Sequence, residues 1–240
     1  MAVAALRQEN DFDLQAPAPS RREVLGRYRN LREMSKRHHC KALDFLSRAA
    51  IPHQARRLGL ADGSTLILES MDELILAFDL AIHTAPPGRS RAIDRYARSA
   101  QFAPGSEEAL VLEAMRNACF AVVEVQCRHE AAGLIVTDLF RNVEFWLVDE
   151  GLEMSLPEGT VYATRYCTPD RFSMTCGVGM PVDLPLLRDA IESVPSLLRK
   201  SRTEVIKDRR FAEAIYRTAI AAGIMEGVTY LDPPATGDAA

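Results

Sequence analysis

The sequence predicts an α+β fold in three parts: a helical region over residues 20–118, a five-stranded antiparallel small β-barrel of SH3-like type over 119–182, and C-terminal helices over 183–224. Two observations carry this. Between Cys119 and Val182 the apolar residues fall into five short runs, 120–126, 134–139, 143–148, 160–166 and 172–180, rich in β-branched and aromatic side chains and parted by turn residues. Before them the apolar positions step at three and four, as in Val24, Tyr28, Leu31, Ser35, His38, Ala42 and Phe45, which is the period of a helix face.

At 240 residues, 48% apolar and 26% charged, the chain can bury a sizeable core. No apolar run approaches the roughly 20 residues that cross a bilayer, and residues 1–20 lack a signal-peptide core, so a cytoplasmic protein with no membrane partner is expected. The five cysteines, at positions 40, 119, 127, 167 and 176, form no C-x-x-C pair, which favours reduced thiols and gives no reason to expect a metal or other cofactor. The net charge of −4 hides an asymmetry. Residues 1–60 carry 12 Lys/Arg against 6 Asp/Glu, a balance of +6, which leaves −10 for the rest, and 119–183 carry 4 basic against 10 acidic side chains. The two regions are electrostatically complementary.

Residues 1–19 read as a flexible arm, rich in Ala, Pro and Asp. Ser20 is a candidate N-cap for one long helix, or two in line, to residue 50, stopped by Pro52. A short helix over 53–60 ends at Gly59, and Ser70 with Glu73 forms a capping box that opens an almost wholly apolar helix to His83. Further helices follow over 90–100 and from Ser106. Within the barrel, residues 138–142 make a tight connection, 157–159 a turn, and Gly177 and Gly179 mark a bulge or close backbone approach. Asp183 caps the next helix, a last helix spans 202–222, and 225–240 form a tail. The small residues of the last helix suit an internal seam or a homodimer contact.

The leading candidate functional residues fall into three groups, with two weaker ones behind them. Arg21, Arg22, Arg29, Lys36 and Arg37, extended by Arg56 and Arg57, give a basic helix suited to a protein partner or to nucleic acid; the low pI and the lack of a helix-turn-helix or RNP pattern put protein first. Trp146, the sole tryptophan, either covers a barrel end or stands out as a contact residue. Asp72, Asp79 and His83 line one side of their helix, where a carboxylate and an imidazole four residues apart can share a proton or a metal, although an exposed polar seam is the commoner meaning. Adjacent His38 and His39 point about 100° apart and cannot chelate one ion. Cys176 with His129, and the turn carboxylates Asp138, Asp149 and Glu150, are weaker catalytic candidates. Phosphate-loop, dinucleotide and nucleophile-elbow motifs are absent from the sequence. The expected function is therefore a non-catalytic binding or adaptor protein, with an enzyme near Asp72, Asp79 and His83 as the competing class.

The runs Gly133 to Leu139, Trp146 to Asp149 and Gly159 to Arg165 resemble uncharacterised bacterial proteins in which a helical N-terminal region leads into a small β-barrel. Relatives of that barrel sometimes precede a Cys-rich zinc tail of the SEC-C kind. No cysteine follows Cys176, so the resemblance implies a layout and a bacterial cytosolic setting, with no zinc site and no activity.

Overall fold

The computed structural model describes residues 19–62, 65–68 and 72–224. The arm before Pro19, the capping serine Ser70 and the tail 225–240 lie outside the described residues.

Helix α1 (Arg21–Leu43) begins at Ser20, whose side chain and Glu23 complete a capping box. It ends earlier than the apolar period suggests, at Asp44, and α2 (Ala50–Leu58) starts anew with Pro52 in its first turn, where a missing N–H costs little. A two-residue hairpin, β1 (Ala61–Asp62) with β2 (Thr65–Leu66), leads to α3 (Asp72–His83), followed by α4 (Ala92–Ser99) and α5 (Glu107–Arg116).

The sheet strands are β3 (Cys119–Arg128), β4 (Leu134–Asp138), β5 (Val143–Leu147), then β6 (Val161–Cys167) and β7 (Met174–Pro181) after an inserted helix α6 (Glu150–Ser155). They pair antiparallel in the order β5-β4-β3-β6-β7. Five antiparallel strands are as expected, but the SH3-like barrel is not formed: the sheet stays open. Its edges β5 and β7 meet only at one corner, where Leu147 and Ser173 make a parallel bridge through Val148 N–H to Ser173 O and Ser173 N–H to Trp146 O, each 2.8 Å. Elsewhere α1 and α3 pack against β7, so helices take the place of a closing strand ladder. Gly133 sits tight against that corner at φ 80°; a Cβ there would stand 2.3 Å from Leu147 O.

Because β3 is central, both of its faces are buried. Phe120 and Val122 join α2, α3 and α9 (Arg209–Ala221) with α7 (Leu184–Glu192), while Ala121, Val123 and Val125 face a second core within the curl of the sheet, lidded by Leu152 and Leu156. A third core joins α1, α4 and α5 to Phe172 and Met174. The expected last helix is broken into α8 (Arg202–Val205) and α9, with Asp208 capping the latter. Ala212, Ala214 and Ala219 are buried, so the small-residue seam of α9 is internal.

Candidate functional site

The expected exposed seam on α3 is instead one of the most enclosed parts of the molecule. Asp79 and His83 are 5% and 4% exposed. Asp72 opens α3, a turn or more away along the helix. The reason for the burial is Arg165 on β6: its Nε donates to Asp79 Oδ1 at 2.8 Å and its Nη2 to Oδ2 at 2.9 Å, a two-pronged pair. Tyr216 of α9 donates its hydroxyl to Oδ2 at 3.0 Å. Burial would push the Arg165 guanidinium toward neutrality, but the Asp79 carboxylate outweighs it and holds the arginine above its ordinary pKa. The guanidinium carbon also lies 5.8 Å from the centre of the Phe120 ring.

Gly177 makes this arrangement possible. A Cβ at that position would stand 2.7 Å from Asp79 Oδ1 and 2.8 Å from Arg165 Cβ, so the close backbone approach expected there is toward a buried ion pair. The ladder between β6 and β7 shifts register between Thr164 and Tyr166, beside Arg165.

His83 Nε2 lies 3.5 Å from His39 Nε2 on α1, while His83 Nδ1 is buried with no hydrogen-bond partner among the described residues. Burial, with the Arg32 charge adding to it, brings the His39 imidazole down to about 4. Burial, Arg165 and His39 together hold His83 well below the usual histidine range. Both rings are therefore neutral near pH 7. Cys176 is buried, and burial followed by its contact with Cys167 raises its thiol well above the ordinary value, which leaves it a poor nucleophile.

The other catalytic candidates do not converge. His129 stacks on Trp146 at 3.9 Å and accepts from the Ala131 N–H. Asp138 accepts from the N–H groups of Phe140 and Arg141 and pairs with the Arg141 side chain, which makes it a turn cap. Asp149 caps α6 beyond the other end of β5 and accepts from the Thr175 hydroxyl. His38 is a satisfied core histidine between Tyr96 Oη and Glu108 O. Among the described residues, no group of three or more His, Cys, Asp or Glu is placed to hold a metal.

The basic helix α1 directs much of its charge at acids of the same chain. Arg21 pairs with Glu153 and Arg29 with Glu150, both through α6, each at a closest approach of 2.6 Å. Arg27 bonds Asp170 and Glu107, and Arg32 donates to Thr175 O at 2.6 Å. Arg22, Lys36 and Arg37 are exposed, Lys36 beside Glu33. Arg56 and Arg57 do not extend the α1 face, because α2 packs on α3 and α9; Arg57 pairs with Glu213 of α9. Trp146 is half-buried and covers one end of the sheet, donating Nε1–H to Ala132 O at 2.7 Å and meeting Phe172 edge-on. Sequence reading missed Arg165, Tyr216 and His39 as partners of the α3 line; a lone arginine inside a strand run, at position 165, was the available signal.

Together these features define an α+β protein with a helix-covered open sheet, a closed ion-pair group at its centre and its accessible cations on the helical side. The chain belongs to DUF7986, a family of unknown function whose model matches residues 22–226. Neither a curated protein nor a solved structure matches it. Among the described residues no helix is long and apolar enough to cross a membrane.

Proposed function

We propose that the protein is a non-catalytic binding protein that presents the outer face of α1 to an acidic protein partner, in the bacterial cytosolic setting its resemblance implies. The observation that carries this reading is how α1 is held. Arg21, Arg27, Arg29 and Arg32 all reach back to the sheet side, which fixes the helix and leaves Arg22, Lys36 and Arg37 facing water. A charged face held in place before binding avoids part of the ordering cost of association. Protein stands ahead of nucleic acid because a stripe along a phosphate backbone would need Arg29 and Arg57, and these are bonded to Glu150 and Glu213. An enzyme at Asp79 and His83 draws less support, since their partners are other buried side chains rather than an open cleft. A homodimer is not part of the reading, because the alanine face that suggested one is internal.

The test is affinity capture from the native host with tagged wild type beside Arg22→Glu/Lys36→Glu/Arg37→Glu. A specific protein recovered with wild type, resistant to nuclease and lost from the variant, is the expected result. Equal recovery by both proteins would sink the reading, and nuclease-sensitive recovery would replace it with nucleic-acid binding.

A further inference from the structure

The cations that α1 does not own gather elsewhere. A cleft of about 540 Å³ opens between α2, the connection from α3 to α4, and the start of α9. His53, Arg56 and Arg57 come from α2, Arg89 from the connection, Arg95 from α4 and Arg209 from α9. No carboxylate is among the described residues that line it, and Arg57 is paired with Glu213 of α9. Arg89, Arg95 and Arg209, none of them ion-paired among the described residues, come from separate stretches of chain around one hollow; this raises their mutual repulsion, and a low-dielectric wall focuses the resulting positive field into the opening.

We propose that this cleft binds a small phosphate ester bearing hydroxyl groups, of sugar-phosphate size. Three features select that class. The volume lies within the range of about 300–1,000 Å³ found for small-molecule sites. Arginine is the cation whose planar fork of donors matches phosphate oxygens two at a time, and Arg95 is held in place here by donating to the backbone carbonyls of Ser90 and Phe45. Arg89 and Arg209 have no ion pair among the described residues, so their charge is available to a ligand. The third feature is Gln54, which lines the cleft with its Oε1 buried and without a hydrogen-bond partner. A buried acceptor left unmade is costly, and a small rotation of the Gln54 side chain toward the cleft would let a ligand hydroxyl supply the missing donor. Alanine, leucine and proline side chains at positions 46, 49, 81, 86 and 92 give the remaining wall an apolar character that suits the carbon frame of such an ester.

This site is built from different elements from the outer face of α1, so it stands or falls separately from the binding reading above. Isothermal titration calorimetry on the full chain with ribose 5-phosphate, inorganic pyrophosphate and citrate tests it at low ionic strength. Saturable binding of ribose 5-phosphate is expected, weakened about tenfold or more by Arg89→Ala/Arg209→Ala, which is a change of about 1.4 kcal/mol. The melting temperature of that ligand-free variant should match wild type, because both side chains lie at the surface of the cleft. Gln54→Leu should weaken ribose 5-phosphate while sparing pyrophosphate, which has no carbon-bound hydroxyl. The proposal is overturned by the lack of saturable heat at about 10 mM, where even a Kd of about 1 mM gives near-full occupancy. It is equally overturned by binding that the double variant leaves intact, or by citrate binding as tightly as the ester.

Discussion

Two sets of arginine–carboxylate pairs join distant parts of this chain, and they differ in where water stands. In the Asp79–Arg165 pair both side chains are buried, 2% and 7% exposed, and Tyr216 takes up a further carboxylate lone pair. In the α1–α6 pairs the acids are buried but the arginines are not: Arg21 and Arg29 are 54% and 51% exposed against 5% and 10% for Glu153 and Glu150. The same chemical contact therefore has two meanings. The buried pair is dangerous to break because either survivor is a charge without water, whereas an arginine that still touches water leaves behind a site that water can enter.

The sharpest way to break that contrast is to remove one member of the buried pair. Arg165→Met should cost about 3–5 kcal/mol, since Asp79 would stay enclosed with only Tyr216 for company. The urea midpoint reads the loss. Arg165→Met/Asp79→Asn, which removes the charge while keeping an acceptor for Tyr216, should recover more than half of it. A double variant no more stable than the single one would show that packing around Arg165, rather than its charge pairing, governs the site.

Acid should act on the same region next. His39 is neutral in the folded state down to about pH 4, and His83 is held well below the usual histidine range, whereas an unfolded histidine takes up its proton near 6.5. Between those values the unfolded chain binds more protons than the folded one, so stability is fully present above about pH 6.5 and falls as pH drops toward 4. The whole loss from His39 is on the order of 3 kcal/mol. Thermal melts from pH 7.5 to 4.5 should show the decline, and His39→Gln should flatten its slope. An unchanged slope in that variant would remove His39 from the account. Smaller again is Gly177→Ala, expected to cost about 1–3 kcal/mol through crowding of Asp79 and Arg165. In an Asp79→Ala background that cost should shrink, and full additivity would show that the clash lies elsewhere.

What could be read in the sequence follows the same division between local and long-range causes. Strand runs, the caps at Ser20, Ser106 and Asp183, and the turn at Asp138 are set by neighbours a few residues apart, and these were legible. The barrel was not correctly foreseen, because closure depends on whether β5 and β7 pair along their length, and the helices α1 and α3 compete for the β7 side. Helix α6 was missed because six residues carry too little period to stand out. The polar line on α3 was visible, but its burial was not, since the partner that permits it, Arg165, lies 86 positions further along the chain. Charge complementarity between the two ends was visible in the counts. Its consequence, that Arg21 and Arg29 are turned toward the chain's own acids, depends on α6 presenting Glu150 and Glu153 on one side of a short helix.

The weakest expected effect tests that last point. Arg29→Ala should cost no more than about 1 kcal/mol, because the pair sits half in water and the freed Glu150 gains solvent as the arginine leaves. The loss should shrink further in 0.5 M salt, where screening shortens the reach of exposed charges to a few ångströms, while the cost of Arg165→Met stays the same. Hydrogen exchange at α1 adds the structural reading: with Arg21→Ala/Arg29→Ala, amides in the first half of α1 should exchange faster than in wild type, and those of α3 should not. If both helices loosen together, the α1 pairs and the buried pair belong to one cooperative unit. The helix is then held by its apolar face, Val24, Tyr28 and Leu31 packed against the third core, and the arginines only set its register.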